Sequence, residues 1–240
     1  MKKRSMFLTA LGFTVLLTSL FADSASADTV KAGQFATTQQ AVKASGMTIP
    51  KGTRVKITAT NSNKGQQLVT IGLNRLSYKV RGLAYAGKTV TVKATNSTFK
   101  LSKTRSYDHI PVYLQRGFKP EAPSALSNPQ YLNVSSDGYL EVYPILKGKL
   151  VKPSAVKITA YKYSSASKRW YLYSSSKLNG VNQKRIAIHG KYQYRLTITN
   201  RNKVYKTQSE NRGGIVTSHS YAVGGQYYFY STDTGATTNL

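Results

Sequence analysis

The chain of 240 residues has no cysteine, only 8 Asp+Glu, 3 His and 1 Trp. Without cysteine there is no disulfide scaffold, no thiolate zinc site, no thiol nucleophile and no lipid-modified anchor. His109, His189 and His219 stand in no HxH or HExxH spacing, so a zinc peptidase lacks its ligand pattern. No phosphate-cradling or dinucleotide loop is present, and no cofactor is expected. Many serines are available, but none sits in a nucleophile elbow. Asp108 and His109 are adjacent, which on a strand sends them to opposite faces and argues against a dyad. Glu141 and Glu210 could in principle act as a carboxylate pair, yet nothing in their spacing favours it. Asp137 is expected in a turn, and Asp108, Glu141 and Glu210 as solvated counter-charges on a basic surface. The expectation is a protein that is not an enzyme.

What is abundant is positive charge and tyrosine. There are 35 Lys+Arg, a formal net charge of +27, and 18 Tyr. Lys2, Lys3 and Arg4 precede an apolar run from Met6 to Ala22, and Ala25-Ser26-Ala27 is an A-x-A cleavage signal. Residues 1–27 therefore read as a secretory leader, with a mature chain from Asp28 that is not expected to insert stably in a membrane. A secreted chain without cysteine points to a Gram-positive bacterium.

The remainder patterns as β-structure in two parts. Val55, Ile57 and Ala59 alternate with Lys56 and Thr58, and Val90, Val92 and Ala94 with Thr91 and Lys93. Val156, Ile158 and Ala160 alternate with Lys157 and Thr159, and Tyr192, Tyr194, Leu196 and Ile198 with Gln193, Arg195, Thr197 and Thr199. Period two with β-branched and aromatic residues marks half-buried strands. Turns are expected at Ser135–Gly138, Asn179-Gly180, Asn200–Lys203 and Gly224-Gly225. Only Thr38 to Ser45 has a weak helical pattern. Pro120, Pro123 and Pro129 predict a linker at 119–130. The fold class is therefore all-β, with two antiparallel domains. Residues 28–118 would form an SH3-like barrel or small sandwich, and residues 131–240 a tyrosine-rich immunoglobulin- or fibronectin-like sandwich. Gly52–Ser62 and Gly87–Ser97 form a near-repeat offset by 35 residues, too few copies for a solenoid.

The strongest candidate for binding is Lys168-Arg169-Trp170-Tyr171 with Tyr173, together with Lys184-Arg185. Cations meet phosphate or carboxylate, and rings stack on sugar faces or cations. A large positive excess on an extracellular protein suits an anionic wall polymer such as teichoic acid, or a glycan. Nucleic acid obeys the same physics, but secretion argues against it as a partner. An adhesin or a self-associating layer protein is the alternative expectation, and a wall hydrolase ranks last.

The leader, the absence of cysteine and the Lys/Tyr/Thr/Asn-rich strands together resemble the secreted surface-layer and layer-associated proteins of lactobacilli. Locally, Ile49-Pro50-Lys51-Gly52-Thr53-Arg54-Val55-Lys56-Ile57 is similar to the opening strand of bacterial SH3-like wall-binding modules. Leu76-Ser77-Tyr78-Lys79-Val80 is similar to their later Tyr-Tyr-Lys-Val strand. The resemblance implies non-covalent attachment to wall polymers.

Overall fold

The computed structural model describes residues 30–84, 87–95, 97–119, 122–125, 130–208 and 214–233. The leader at 1–27, Glu210, Pro120, Pro129 and the C-terminal seven residues lie outside the described residues.

The first part carries β1 (Phe35–Thr38), β2 (Val42–Ala44), β3 (Met47–Ile49), β4 (Arg54–Asn63), β5 (Gln66–Gly72), a 3-10 turn at Leu73–Arg75, the single helical turn α1 (Tyr78–Arg81), β6 (Thr89–Lys93) and β7 (Phe99–Ser102). Five strands form one antiparallel sheet in the order β6-β5-β4-β1-β7, and β2-β3 is a separate hairpin. The alternation read from sequence sets the faces. Along β6, Val90 and Val92 are buried while Thr89, Thr91 and Lys93 are exposed. Val55, Ile57, Val69, Ile71, Leu73 and Leu76 join them in one core. Both copies of the near-repeat are strands flanking β5, each entered through a glycine in the left-handed region, Gly52 at φ 80° and Gly87 at φ 79°.

The second part begins with a 3-10 turn at Ser106–His109, followed by β8 (Leu114–Lys119), β9 (Ala122–Ala125), β10 (Gln130–Val134), β11 (Tyr139–Leu146), β12 (Lys149–Leu150), β13 (Ser154–Lys157), β14 (Ala160–Ser164), β15 (Arg169–Ser174), β16 (Lys184–Arg185), β17 (Tyr194–Gln208), β18 (Ile215–Val223) and β19 (Gln226–Asp233). All pairings are antiparallel. They form one path, β12-β11-β10-β8-β19-β18-β17-β15-β14, with β9, β13 and β16 attached at its side. Leu140, Val142 and Val156 from one end share a core with Trp170, Leu172, Leu196 and Ile198 from the other. The sheet therefore curls over its own apolar face.

The all-β antiparallel class is as the sequence predicts, but details differ. The second part hydrogen-bonds as one continuous sheet, not as the two facing sheets of an immunoglobulin-like sandwich. The two cores change over between Leu101 and Tyr107, not at the prolines. Tyr107, Ile110 and Leu114 already pack in the second core. The expected linker at 119–130 contributes to β8 and β9 instead. Pro123 is tolerated there because, among the described residues, β9 pairs with β8 alone, as an edge strand. Asn200–Lys203 is not a hairpin turn. It is a bulge within β17, where the register slips between Asn200 and Val204 and Asn202 adopts φ 54°. The weak helix expected over Thr38 to Ser45 is strand and turn, and Tyr78–Val80, expected as strand, belongs to α1.

The two parts meet along a buried polar seam. Arg54 and Asp108 form a bidentate ion pair, Nη1 to Oδ1 at 2.8 Å and Nη2 to Oδ2 at 2.6 Å, with side chains 5% and 2% exposed. Arg54 also donates to the carbonyls of Lys103 and Ser136, and its guanidinium stacks 4.1 Å from the Phe35 ring centroid. The backbone N–H of Arg105 donates to Asp108 Oδ2. The β10–β11 turn acts as a peg: Ser136 Oγ donates to the carbonyls of Arg54 and Arg75, while the backbone N–H and hydroxyl of Ser77 donate to Asp137.

Removing one partner of a buried ion pair strands the other charge. Arg54→Met is expected to lower the unfolding free energy by about 3–5 kcal/mol, and the double substitution Arg54→Met/Asp108→Leu to recover much of that loss. Urea denaturation of the three proteins checks this. Equal losses in the single and double variants would show that the charge pairing is not what matters.

Candidate functional site

Strand register builds the candidate surface. In β15, Trp170 and Leu172 point into the core, so Arg169, Tyr171 and Tyr173 share the outer face. Across the ladder Arg169 stands opposite Thr199, Tyr171 opposite Thr197 and Tyr173 opposite Arg195. On the other neighbour, β14, Lys162 stands opposite Tyr171. The Arg195 guanidinium lies 5.1 Å from the Tyr171 ring centroid, and Tyr173 meets Tyr192 edge-on at 6.1 Å. A cation held against a ring keeps a defined position at little cost in side-chain entropy.

The seven residues picked out by sequence are thus divided. Tyr171, Tyr173 and Lys184 come together around Arg195. Trp170, expected among the binding residues, lies in the core instead of on the surface. It is 5% exposed, tilts against Tyr163, and its indole N–H donates to the Ser106 carbonyl at 2.8 Å. Its parity with Leu172 dictates this. Lys168 sits at the β14–β15 turn with φ 47°, and its ammonium donates to Asn202 Oδ1. Arg169 donates through Nε to Thr199. Four residues of strand, about 13 Å, separate Arg169 from the Tyr173 end. Lys184 stands opposite Arg195, whereas Arg185 stands opposite Tyr194. Consecutive strand residues face opposite ways, so Arg185 leaves the face that Lys184 joins.

Arg195, Gln183 and Tyr192 are the residues that motif reading missed. Arg195 was visible as a polar position of an alternating strand, but its neighbours depend on pairings far along the chain. Together Asn182–Lys184, Arg195, Thr197 and the Gly224-Gly225 turn enclose a groove of about 380 Å³. Gly224 is required there. It adopts φ 56°, and a Cβ would collide with the Asn182 carbonyl oxygen. A second cleft of about 250 Å³ opens at the seam, where Lys51 and Lys79 of the first part face Lys157 of the second across Asp137 and Tyr139.

The acids lie elsewhere. Asp108, Asp137 and Glu141 are the carboxylates whose side chains are described, and all three are in the seam. Asp137 does stand in its turn. Asp108 and Glu141 are not solvated counter-charges. They are 7% and 0% exposed, respectively. Glu141 accepts from the backbone N–H of Tyr78, the amide of Asn133 and the hydroxyl of Tyr143, while Arg81 donates to the hydroxyls of Tyr113 and Tyr143. Tyr113 holds φ 54° there, a conformation that a bulky residue keeps only when its surroundings fix it. His109, His189 and His219 are exposed. Among the described residues no three His, Asp or Glu side chains cluster. No protein-family model, no curated protein and no solved structure matches the chain.

Burial pushes the Glu141 carboxyl above the usual glutamate range, against the opposing pull of its three hydrogen bonds and Arg81. The folded chain thus keeps a proton that the unfolded chain has already released. In the window upward from the unfolded value, that makes stability fall as pH rises. The stability–pH curve of the protein minus that of Glu141→Gln is expected to decline as pH rises from about 4.5. A difference curve that climbs over this window contradicts the assignment. Urea midpoints across the series supply both curves.

Proposed function

We propose that this is a non-catalytic, secreted surface protein that binds an anionic wall polymer or glycan through its basic, tyrosine-bearing outer face. The observation that carries the reading is the separation of charge. The described carboxylates are held in the seam, while Lys162, Lys184 and Arg195 share one face with Tyr171 and Tyr173. Unneutralised cations raise the local concentration of polyanions and steer them onto the surface. Each anionic contact displaces counterions, so affinity falls with salt. The tyrosines add flat apolar area for sugar rings while their hydroxyls stay wet. The leader supports an extracellular site of action, where such polymers are exposed.

Self-association is a second reading with its own observation. β14 ends the strand path, and on it Tyr161 and Tyr163 are 44% and 40% exposed. An uncovered edge can pair with another chain, although Lys162 between the tyrosines opposes it.

Co-sedimentation of residues 28–240 with Gram-positive sacculi, with and without teichoic acid, tests the first reading. Binding is expected to require the polymer and to drop steeply between about 50 and 200 mM salt. Combined Lys162→Gln, Lys184→Gln and Arg195→Gln substitution is expected to weaken it at least tenfold. Binding to neither preparation, with concentration-dependent sedimentation of the protein alone, would move the account to self-association.

A further inference from the structure

We infer that the groove between Asn182–Lys184, Arg195 and the Gly224-Gly225 turn is a phosphate-binding pocket, the fixed anchor point of an otherwise diffuse cationic face. The inference rests on the polymer-binding reading for its biological ligand, but not for its chemistry.

Two buried donors without acceptors make the pocket more than a charged surface. Gln183 Nε2 and Arg195 Nε are both inaccessible to solvent and both lack a hydrogen-bond partner. Leaving a buried donor unmade is costly, so two in one groove need an explanation. Gln183 is not free to turn its amide over. Its Oε1 accepts the backbone N–H of Leu178 at 2.6 Å, which makes the other end of the amide the donor. Arg195 rests with its guanidinium against the Tyr171 ring. Lys184 adds a second full positive charge, brought opposite Arg195 by the β16–β17 register.

The groove is preorganised by backbone as well. Gly224 donates its N–H to the Thr197 carbonyl at 2.9 Å, which pins the β18–β19 turn to β17. The Asn182 carbonyl closes over Gly224 so tightly that no side chain fits. The backbone wall of the groove is therefore set before any ligand arrives, and only a small shift of the Gln183 and Arg195 side chains is needed to bring their covered donors to it.

These groups select the ligand class. Two cations and an amide donor match a group with several anionic oxygens spread in three dimensions. A tetrahedral phosphate presents them in the arrangement required, and the groove volume of about 380 Å³ leaves room for the substituents of a phosphodiester. A neutral sugar would leave both cations uncompensated.

The probes are inorganic phosphate and glycerophosphoglycerol, a single phosphodiester, titrated into the 15N-labelled mature chain at constant ionic strength, with sodium chloride as control. The Gln183 side-chain amide and the Arg195 Nε–H are expected to shift saturably with either phosphate probe and not with chloride. Saturation by the diester alone would identify a polymer backbone as the source. Saturation by both would identify terminal or free phosphate as accepted too. Gln183→Glu keeps the acceptor for Leu178 but replaces the donor with a negative charge. It is expected to abolish the saturable shift while leaving the rest of the spectrum in place, and Lys184→Gln to weaken binding about tenfold. Shifts as large in chloride, shifts that never saturate, or an unchanged titration in Gln183→Glu would overturn the pocket. The two readings fail separately. If sacculi are ignored while phosphate saturates the groove, the wall-polymer function falls and the pocket stands. If the phosphate titration never saturates while sacculi bind Gln183→Glu as well as the unaltered protein, the pocket falls and the wall-polymer function stands.

Discussion

The buried ion pair between Arg54 and Asp108 is the constraint on which the rest of the arrangement turns. Two full charges leave water at the junction of two β-structures, and desolvation opposes that strongly. The geometry offsets it. Both pairs of atoms are engaged, two carbonyls accept the remaining Nη protons while Nε alone stays unpaired, and the Arg105 backbone N–H donates to Asp108. Such a network tolerates little displacement, because each partner lost leaves a charge uncompensated in a dry site. The pair therefore fixes one way for the two cores to meet. The Ser136 peg, the Asp137–Ser77 bonds and the Glu141–Tyr143–Arg81 cluster then extend the same register along the seam.

The seam also shapes the electrostatics of the surface. The chain has few acids, and the described ones are drawn inside to hold the parts together. Cations on the outside are left without them, which is unfavourable for the compact state in isolation. An anionic partner relieves that repulsion. Under the proposed function, stability of the interior and binding of polyanions would share one cause, the placement of a small number of carboxylates.

Alternation made much of this legible in the sequence. The Val/Ile rows of β4, β6 and β17 and the Gly224-Gly225 turn were readable because period two ties local composition directly to a buried face. What alternation cannot show is whether the other face meets water. Glu141 sits between Leu140 and Val142 and reads as an outward polar residue. It is outward, but the first part of the chain lies over it. Trp170 carries two signals at once: its parity with Leu172 marks it for the core and its basic neighbours mark it for binding, and its burial decides for the core. The prolines suggested a boundary because they exclude central strands, yet the edge strand β9 accepts Pro123. Arg195 and Gln183 carry no local signal. They meet only through pairings between β15, β16 and β17, and through a turn near the end of the chain.

If the seam joins the parts as described, they cannot unfold independently. Differential scanning calorimetry of residues 28–240 at low salt tests this most directly. A single transition with equal calorimetric and van't Hoff enthalpies is the predicted result. Two separable transitions, each preserved when Arg54 is replaced by Met, would contradict the account.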